Sequence, residues 1–489
     1  MAVGQKLHGV HTMTKLFDPQ RRKFFLDGLA VAGTLPGMYY PLGANAGTRT
    51  HSDGNVKFLL RDDVDYLRHC KVFNRRIRSM PKVIAVCVDE KGVQEAIAYA
   101  QRAELPVAIK SGGHSFEGFS TNENGMMVDV SGMKRLKYHR AKKNVVVQPG
   151  VRLGDMARYL NQYGRLVPAG SCAGVGVAGL ALGGGYGFFA RQFGLTCDSL
   201  RRVRMVDGTG QIQDSNHNAE LLWACKGGGN GSFGIVTELE FKTQSAPAAF
   251  NSYRFKYSDL TPQRVTDLAK RWFELMAILP STAYSAWVLY GNDLSILVTD
   301  TASGATPELS RVLAGLKLYA SRVMPTRSDA FLIGIQNYQG WVSPQYFKNV
   351  SAGYYHGFTD LQAMLPDIFD KMVKAKVSTV LQINTLGGEI ANQVLEPMAA
   401  YPHRAFGFLG EFQTYYQRAS QGPQAEQLVR EIQGILRAGG IKAHYANYPD
   451  IELLGWENAY YGENYGRLQK IKRKLDPQNL IRHPQSVRL

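Results

Sequence analysis

Cysteine is scarce in this chain, and its pattern excludes two common scaffolds. The 489 residues hold five cysteines: Cys70, Cys87, Cys172, Cys197 and Cys225. The number is odd and no C-x-x-C spacing occurs, so neither a disulfide framework nor a zinc site is indicated. The eleven histidines form no H-E-x-x-H pairing, and no metal is expected. The G-x-x-x-x-G-K-[ST] loop is absent, which argues against an NTPase. Acidic residues are in deficit, 40 against 57 basic ones, for a formal net charge of +17. Such a balance attracts anions. Its clusters, "NRRIRS", "LRRVR" and "RLQKIKRK", are short and scattered and carry no nucleic-acid signature. A solvated basic surface is the plainer reading, with no nucleic-acid partner. No run approaches the ~18 uninterrupted apolar residues of a membrane span, and no repeat of solenoid period is visible.

The first residues carry a different signal. "PQRRKFFLDGLAVAGTLPG" sets Arg21–Arg22 before Phe24, Phe25 and Leu26, and Ala44–Ala46 supplies small residues for cleavage. This resembles a twin-arginine export signal over residues 1–46, against which stands a basic amphipathic helix. Export of an already folded protein suits one that must load a cofactor first.

Glycine is abundant, at 51 residues, and clusters in three places. "VIAVCV", "VQEAIAYAQRA" and "VAIK" read as strand, helix and strand, and the last runs into "SGGHS" at Ser111–Ser115. A second cluster, "GSCAGVGVAGLALGGGYG", covers Gly170–Gly187, and a third, "GGGNGSFG", covers Gly227–Gly234. Glycine admits close backbone approach, and exposed N–H groups at such turns bind phosphate oxygens. Each cluster alone suits a structural turn. Three together favour a large anionic cofactor such as a dinucleotide. They do not match a βαβ opening, because no strong strand precedes the nominal G-x-G-x-x-G at Gly174, Gly176 and Gly179. From about Ala246 the composition changes to alternating helix-like and strand-like segments richer in aromatics, which predicts a second unit over 243–440.

Five motifs in order, "PVAIKSGGHSFEGFS", "VVVQPGVRLGDM", "GSCAGVGVAGLALGGGYG", "LWACKGGGNGSFGIVT" and "YYGENYGRLQKIKRKLDPQNLIRHPQSV", closely resemble the berberine-bridge-enzyme-like flavoproteins of the vanillyl-alcohol oxidase superfamily. The resemblance spans about Lys57 to Val487 and is weakest in the middle. It implies an α+β fold: a two-part PCMH-type FAD-binding domain over 47–242, and a substrate domain over 243–440 with an antiparallel sheet covered by helices. The 441–489 segment would return to the FAD domain.

The resemblance also implies site residues. His114 would be bonded to the flavin 8α-methyl and Cys172 to flavin C6. Ser111, Gly112, Gly113 and Ser115 would hold FAD together with Gly228, Gly229, Asn230, Gly231 and Gly234. The segment Val175, Gly176, Gly179, Gly184, Gly185, Tyr186 and Gly187 would line it, with Val236 and Tyr465 as further neighbours. Without the resemblance, His114 reads as a turn histidine and Cys172 as a small buried residue.

For chemistry, the family's tyrosine motif matches "HYANYPD", with Tyr448 the better catalytic match and Tyr445 its companion. Glu411 follows "PHR" on a strand whose alternation puts Glu411 and Gln413 on one face; a salt-bridged sheet residue is the competing reading. By the same resemblance, Val175, a small residue three after the cysteine, implies oxygen as electron acceptor, while a simple core valine fits equally well. The expected function is hydride transfer from an alcohol or lactol, on an oligosaccharide or secondary metabolite, to flavin N5 and then to O2, giving H2O2. An oxidative cyclase or C–H oxidase of a phenol or amine is the alternative, and a low-turnover flavin-loaded binding protein the reading from another class. Tyr253, Trp341 and Tyr354–Tyr355 are either core residues or rings that stack on substrate.

Overall fold

The computed structural model describes residues 52–340 and 343–489. Arg21–Arg22 with the rest of the export-like segment, and Trp341, lie outside the described residues. The fold is α+β, with three main sheets. The first has five strands in the order Ser52–Asp53, Val56–Leu59, Val83–Cys87, Met126–Asp129, Val107–Lys110. Its last three strands are parallel, as a crossover through the helix Glu90–Arg102 requires. Asp89 caps that helix by accepting the Gly92 N–H at 2.9 Å. The second sheet is antiparallel, in the order Ile212–Asp214, Leu200–Asp207, Gly234–Lys242, Asn144–Val147, Leu136–His139.

The third sheet is the largest, with eight strands between Ala249 and Tyr416, all antiparallel. Its central order is Ala249–Tyr257, Asp293–Asp300, Ala283–Tyr290, Ser378–Thr385, Phe408–Tyr416, Tyr346–Tyr355. Side chains alternate between its faces, and the two faces have different tasks. Phe255, Trp287, Leu289, Ile296, Leu381, Ile383 and Phe412 face a core built with the helices Pro262–Met276, Pro307–Lys317, Leu365–Lys374 and Gly422–Ala438. The intervening residues Arg254, Tyr284, Ala286, Ser295, Leu297, Gln382, Glu411 and Gln413 line a cavity. Helix 262–276 shows why it sits there: Val265, Leu268, Ala269, Trp272, Phe273 and Met276 repeat at helical spacing and are all buried. Trp272 Nε1 donates to Ser285 Oγ at 3.0 Å, which satisfies its one donor.

Tyr355 belongs to this helix-side core, and Tyr253 packs against it. Tyr354 is buried with its hydroxyl 2.8 Å from that of Tyr401. These rings are core residues and do not line the cavity. Among the described residues, no helix is long and apolar enough to cross a membrane.

The C-terminal helix Tyr465–Leu475 packs back on the second sheet's core through Leu468, Ile471 and Leu475, alongside Leu221 and Trp223. It is pinned by Lys472, which is wholly buried. Its ammonium donates to the carbonyls of Ser232 and Ile481, both at 2.6 Å, and to Asp476 at 2.7 Å. Asp476 in turn accepts the N–H groups of Leu480 and Ile481 at 2.9 Å. Removing one partner of a buried pair leaves an uncompensated charge. Asp476→Ala is therefore expected to cost about 3–5 kcal/mol, read as a lower urea midpoint in equilibrium unfolding. An unchanged midpoint would mean that the pair does not anchor the C-terminal helix.

Candidate active site

The first two glycine turns interlock backbone to backbone. A Cβ on Gly112 would lie 2.4 Å from the Gly176 nitrogen, and one on Gly176 would lie 2.4 Å from Ser111 Oγ and 2.6 Å from the Gly112 nitrogen. Ser111 Oγ also donates to the Pro149 carbonyl at 2.6 Å. Gly113 has φ +67, a left-handed conformation that favours glycine. This turn delivers His114 with its ring stacked on Phe73, centroids 4.0 Å apart. A Cβ on Gly174 would meet His114 Nε2 at 3.0 Å. Burial, aided by the charge of Arg152, lowers the His114 pKa to about 4, so the imidazole is neutral at pH 7.

The third turn closes the other end. Gly231 has φ +63, and a Cβ there would be 3.2 Å from His483. His483 Nε2 lies 2.9 Å from the Asn230 carbonyl, and its ring stacks on Phe119 at 4.3 Å. Asn230 Nδ2 donates to Asn447 Oδ1 at 2.5 Å, and Asn447 Nδ2 donates to Tyr445 Oη at 2.8 Å.

These turns and the inner face of the large sheet enclose one cavity of about 540 Å³, within the range of small-molecule and cofactor sites. Of the residues singled out from sequence, it is lined by Ser111, Gly112, Gly113, His114, Ser115, Cys172, Val175, Gly176, Gly179, Tyr186, Gly187, Asn230, Gly231, Gly234 and Val236, and by Glu411, Tyr445 and Tyr448. Gly184, Gly185, Gly228, Gly229 and Tyr465 do not line it. Gly184 and Gly185, at φ +117 and +80, wrap behind Tyr445, whose hydroxyl accepts the Gly185 N–H at 2.8 Å. A Cβ on Gly228 would strike Leu468 at 2.6 Å, and one on Gly229 would meet Leu182 at 3.2 Å, so both serve close packing. Tyr465 stacks on Tyr461, and its hydroxyl accepts the Arg488 N–H at 3.2 Å.

At the sheet end, three titratable groups converge. Tyr448 and Tyr186 share a hydroxyl–hydroxyl hydrogen bond of 2.6 Å. Glu411 is buried beside Gln413 and Tyr448, and burial raises its pKa to about 7. Burial together with the Glu411 charge holds the Tyr448 phenol well above its ordinary value. Among the described residues Glu411 makes no salt bridge. Cys172 Sγ would lie 2.6 Å from a Cβ on Gly340, so only glycine leaves room for the thiol. Burial, then the Glu411 charge, raises that thiol's pKa.

Sequence reasoning missed Phe116, Tyr284, Asn349, Gln382 and Tyr415, all of which line the cavity. The available signal was a polar residue inside an otherwise apolar strand, as Gln382 is in "STVLQINT". Gln382 pairs directly with Glu411 across adjacent strands, and Asn349 with Gln413.

Residues 81–216 match the family model for an FAD binding domain, and residues 444–488 match "berberine and berberine like". The chain is 31% identical over 447 residues to the uncharacterized FAD-linked oxidoreductase YgaK of Bacillus subtilis, covering 88% of this chain and 96% of that protein. It is 30% identical over 467 residues to a carbohydrate oxidase of Microdochium nivale, covering 87% and 91%. In fold it is similar to the solved carbohydrate oxidase of that organism, with a TM-score of 0.78, 26% identity, and 88% and 97% of the two chains covered. It is also similar in fold to Physcomitrella patens BBE-like 1, with a TM-score of 0.82, 24% identity, and 89% and 97% covered. The interlocked glycine turns fit FAD, because Gly112, Gly113, Gly176, Gly179 and Gly231 present backbone without side chains to the cavity. Gly176→Ala should therefore lower bound flavin per chain at least severalfold, read as the ratio of flavin to protein absorbance; an unchanged ratio would show that the interlock is dispensable. The motifs, the whole-chain likenesses and the cavity lead to one assignment: the chain belongs to the berberine-bridge-enzyme-like family of FAD-linked oxidoreductases.

Proposed function

We propose that this enzyme is an oxidase of hydroxyl-bearing small molecules, with FAD tethered through His114 and through a thioether to Cys172. The observation that carries the reading is the hydrogen-bonded Tyr448–Tyr186 pair beside the buried Glu411, in the cavity that His114 and Cys172 line. FAD, when bound, supplies the acceptor for the hydride of the substrate carbon and passes the electrons on to O2, giving H2O2. The chain's own residues handle attachment, proton and substrate. A neutral imidazole at His114 is a competent nucleophile, and its low pKa keeps it so across the physiological range. Tyr448 is a neutral phenol; it takes the substrate hydroxyl proton while passing its own proton to the Glu411 carboxylate, which is the final acceptor. Tyr186 and Tyr445 hold the phenol in place. For substrate, the sheet face offers Asn349, Gln382, Gln413, Tyr284 and Tyr415, a set of amides and phenols suited to a polyhydroxylated molecule. The relatives named carbohydrate oxidase and chitooligosaccharide oxidase favour an oligosaccharide lactol; one named aclacinomycin-N/aclacinomycin-A oxidase keeps a secondary-metabolite alcohol as the second class.

Attachment is tested by acid precipitation. Yellow colour is expected to stay with the denatured protein and to stay after His114→Ala alone, because Cys172 still holds it. Colour released from the parent protein would remove both tethers from the account.

The proton-transfer reading has a pH signature. Below about pH 7 the Glu411 carboxyl is protonated and accepts no proton, so flavin reduction by a reducing disaccharide should speed up as pH rises through 7. Glu411→Gln should flatten that rise, and Tyr448→Phe should slow reduction by about 10²-fold or more. Stopped-flow reduction under anaerobic conditions measures both, and parent-like rates in the two variants would remove these residues from the mechanism.

A further inference from the structure

One buried ionic cluster has no part in the proton transfer above. Lys348, in the strand Tyr346–Tyr355, is 3% exposed and sits between two carboxylates that are almost as buried. Its ammonium donates to Glu117 and, at 2.8 Å, to Asp450 Oδ1. Glu117 also accepts from Arg76 Nη2 at 2.5 Å, and Arg76 reaches the half-buried Glu426 at 3.4 Å. Three remote parts of the chain meet at this one ammonium: the loop after His114, a strand of the large sheet, and the turn after Tyr448.

Each member of the cluster stands beside a group that lines the cavity. Glu117 follows Phe116, and Asp450 lies two residues after Tyr448. The Phe116 and Tyr448 rings stack with centroids 5.2 Å apart and planes 6° from parallel. Lys348 itself lies between Phe347, whose ring meets Phe116 edge-on at 5.5 Å, and Asn349, the cross-strand partner of Gln413. The flanking backbones have anchors of their own. Asn74 Nδ2 donates to the Phe116 carbonyl at 2.8 Å, the Asp450 N–H donates to Tyr460 Oη at 3.0 Å, and Gln485 Nε2 donates to the Asp450 carbonyl at 2.6 Å. What Lys348 adds is the link between the two segments. An ammonium suits the task, since its three donors serve two carboxylates at once, and a neutral group would leave like charges buried together.

We propose that Lys348 is a positioning residue: by holding Glu117 and Asp450 together it clamps the Phe116–Tyr448 stack and sets the Tyr448 hydroxyl against Glu411. This rests on the reading of Tyr448 as the proton-transferring group. The test uses the flavin-loaded Lys348→Met, Lys348→Arg and Tyr448→Phe proteins, with lactose as the reducing sugar and amide hydrogen exchange followed over residues 115–118 and 447–450 without sugar. Lys348→Met is expected to speed exchange in both segments and to slow flavin reduction at least tenfold, with KM within twofold and flavin content unchanged. Lys348→Arg should recover part of the rate. A lower melting temperature with parent-like exchange in both segments would overturn the clamp, as would slower reduction without faster exchange. If Tyr448→Phe reduces flavin at the parent rate, the reading of Tyr448 falls, and the clamp is then judged on exchange alone. Should Lys348→Met fail to fold, Asp450→Asn, which keeps both backbone anchors, is read by the same criteria.

Discussion

The architecture depends on two backbones approaching to within contact distance where Gly112 meets Gly176. Neither position has space for a Cβ. The first turn ends a strand of the parallel sheet, and the second opens the helix Val177–Leu182 beside the antiparallel sheet. Their contact therefore joins two layers that have separate cores. It also leaves peptide groups, with no side chains over them, along one wall of the cavity. The same two turns carry His114 and Cys172, so the joint between layers and the candidate attachment points are one construction.

The opposite wall follows from a different rule. A strand must present alternate residues to opposite faces, and the large sheet uses this to separate packing from chemistry. Phe412 enters the helix-side core while Glu411 and Gln413, its neighbours, face the cavity. The helices cover one face and the glycine turns the other, so Glu411 loses solvent on both sides. Burial is accordingly the largest cause of its raised pKa. A carboxyl that titrates near neutrality beside a tyrosine is a result of that enclosure, because nothing in the residue itself sets it.

Several buried charges are paired. Lys348 with Glu117 and Asp450, and Arg404 with Asp198 at 2.6 Å, are nearly inaccessible and bridge distant segments, while the buried Lys472–Asp476 pair is local. Glu411 makes no salt bridge among the described residues, and burial keeps its proton on to higher pH.

Much was legible in the sequence where the determinant is local. Clustered glycines, a histidine placed directly after two of them, and the alternation that puts Glu411 and Gln413 on one face are properties of a few adjacent residues. They indicated the turns suited to a dinucleotide, while the α+β class and the helix-covered antiparallel sheet followed from the resemblance carried by five motifs in order. The sequence could not say that Gly228 and Gly229 serve packing while Gly231 lines the cavity, because the three share one motif and differ only in what lies opposite. Nor could it reveal that Tyr448 meets both Tyr186 and Glu411, or that Lys348 ties Glu117 to Asp450. Those encounters join residues up to hundreds of positions apart. Only the packing of sheets, helices and turns decides them, since burial and hydrogen-bond partners belong to the folded neighbourhood and not to the residue.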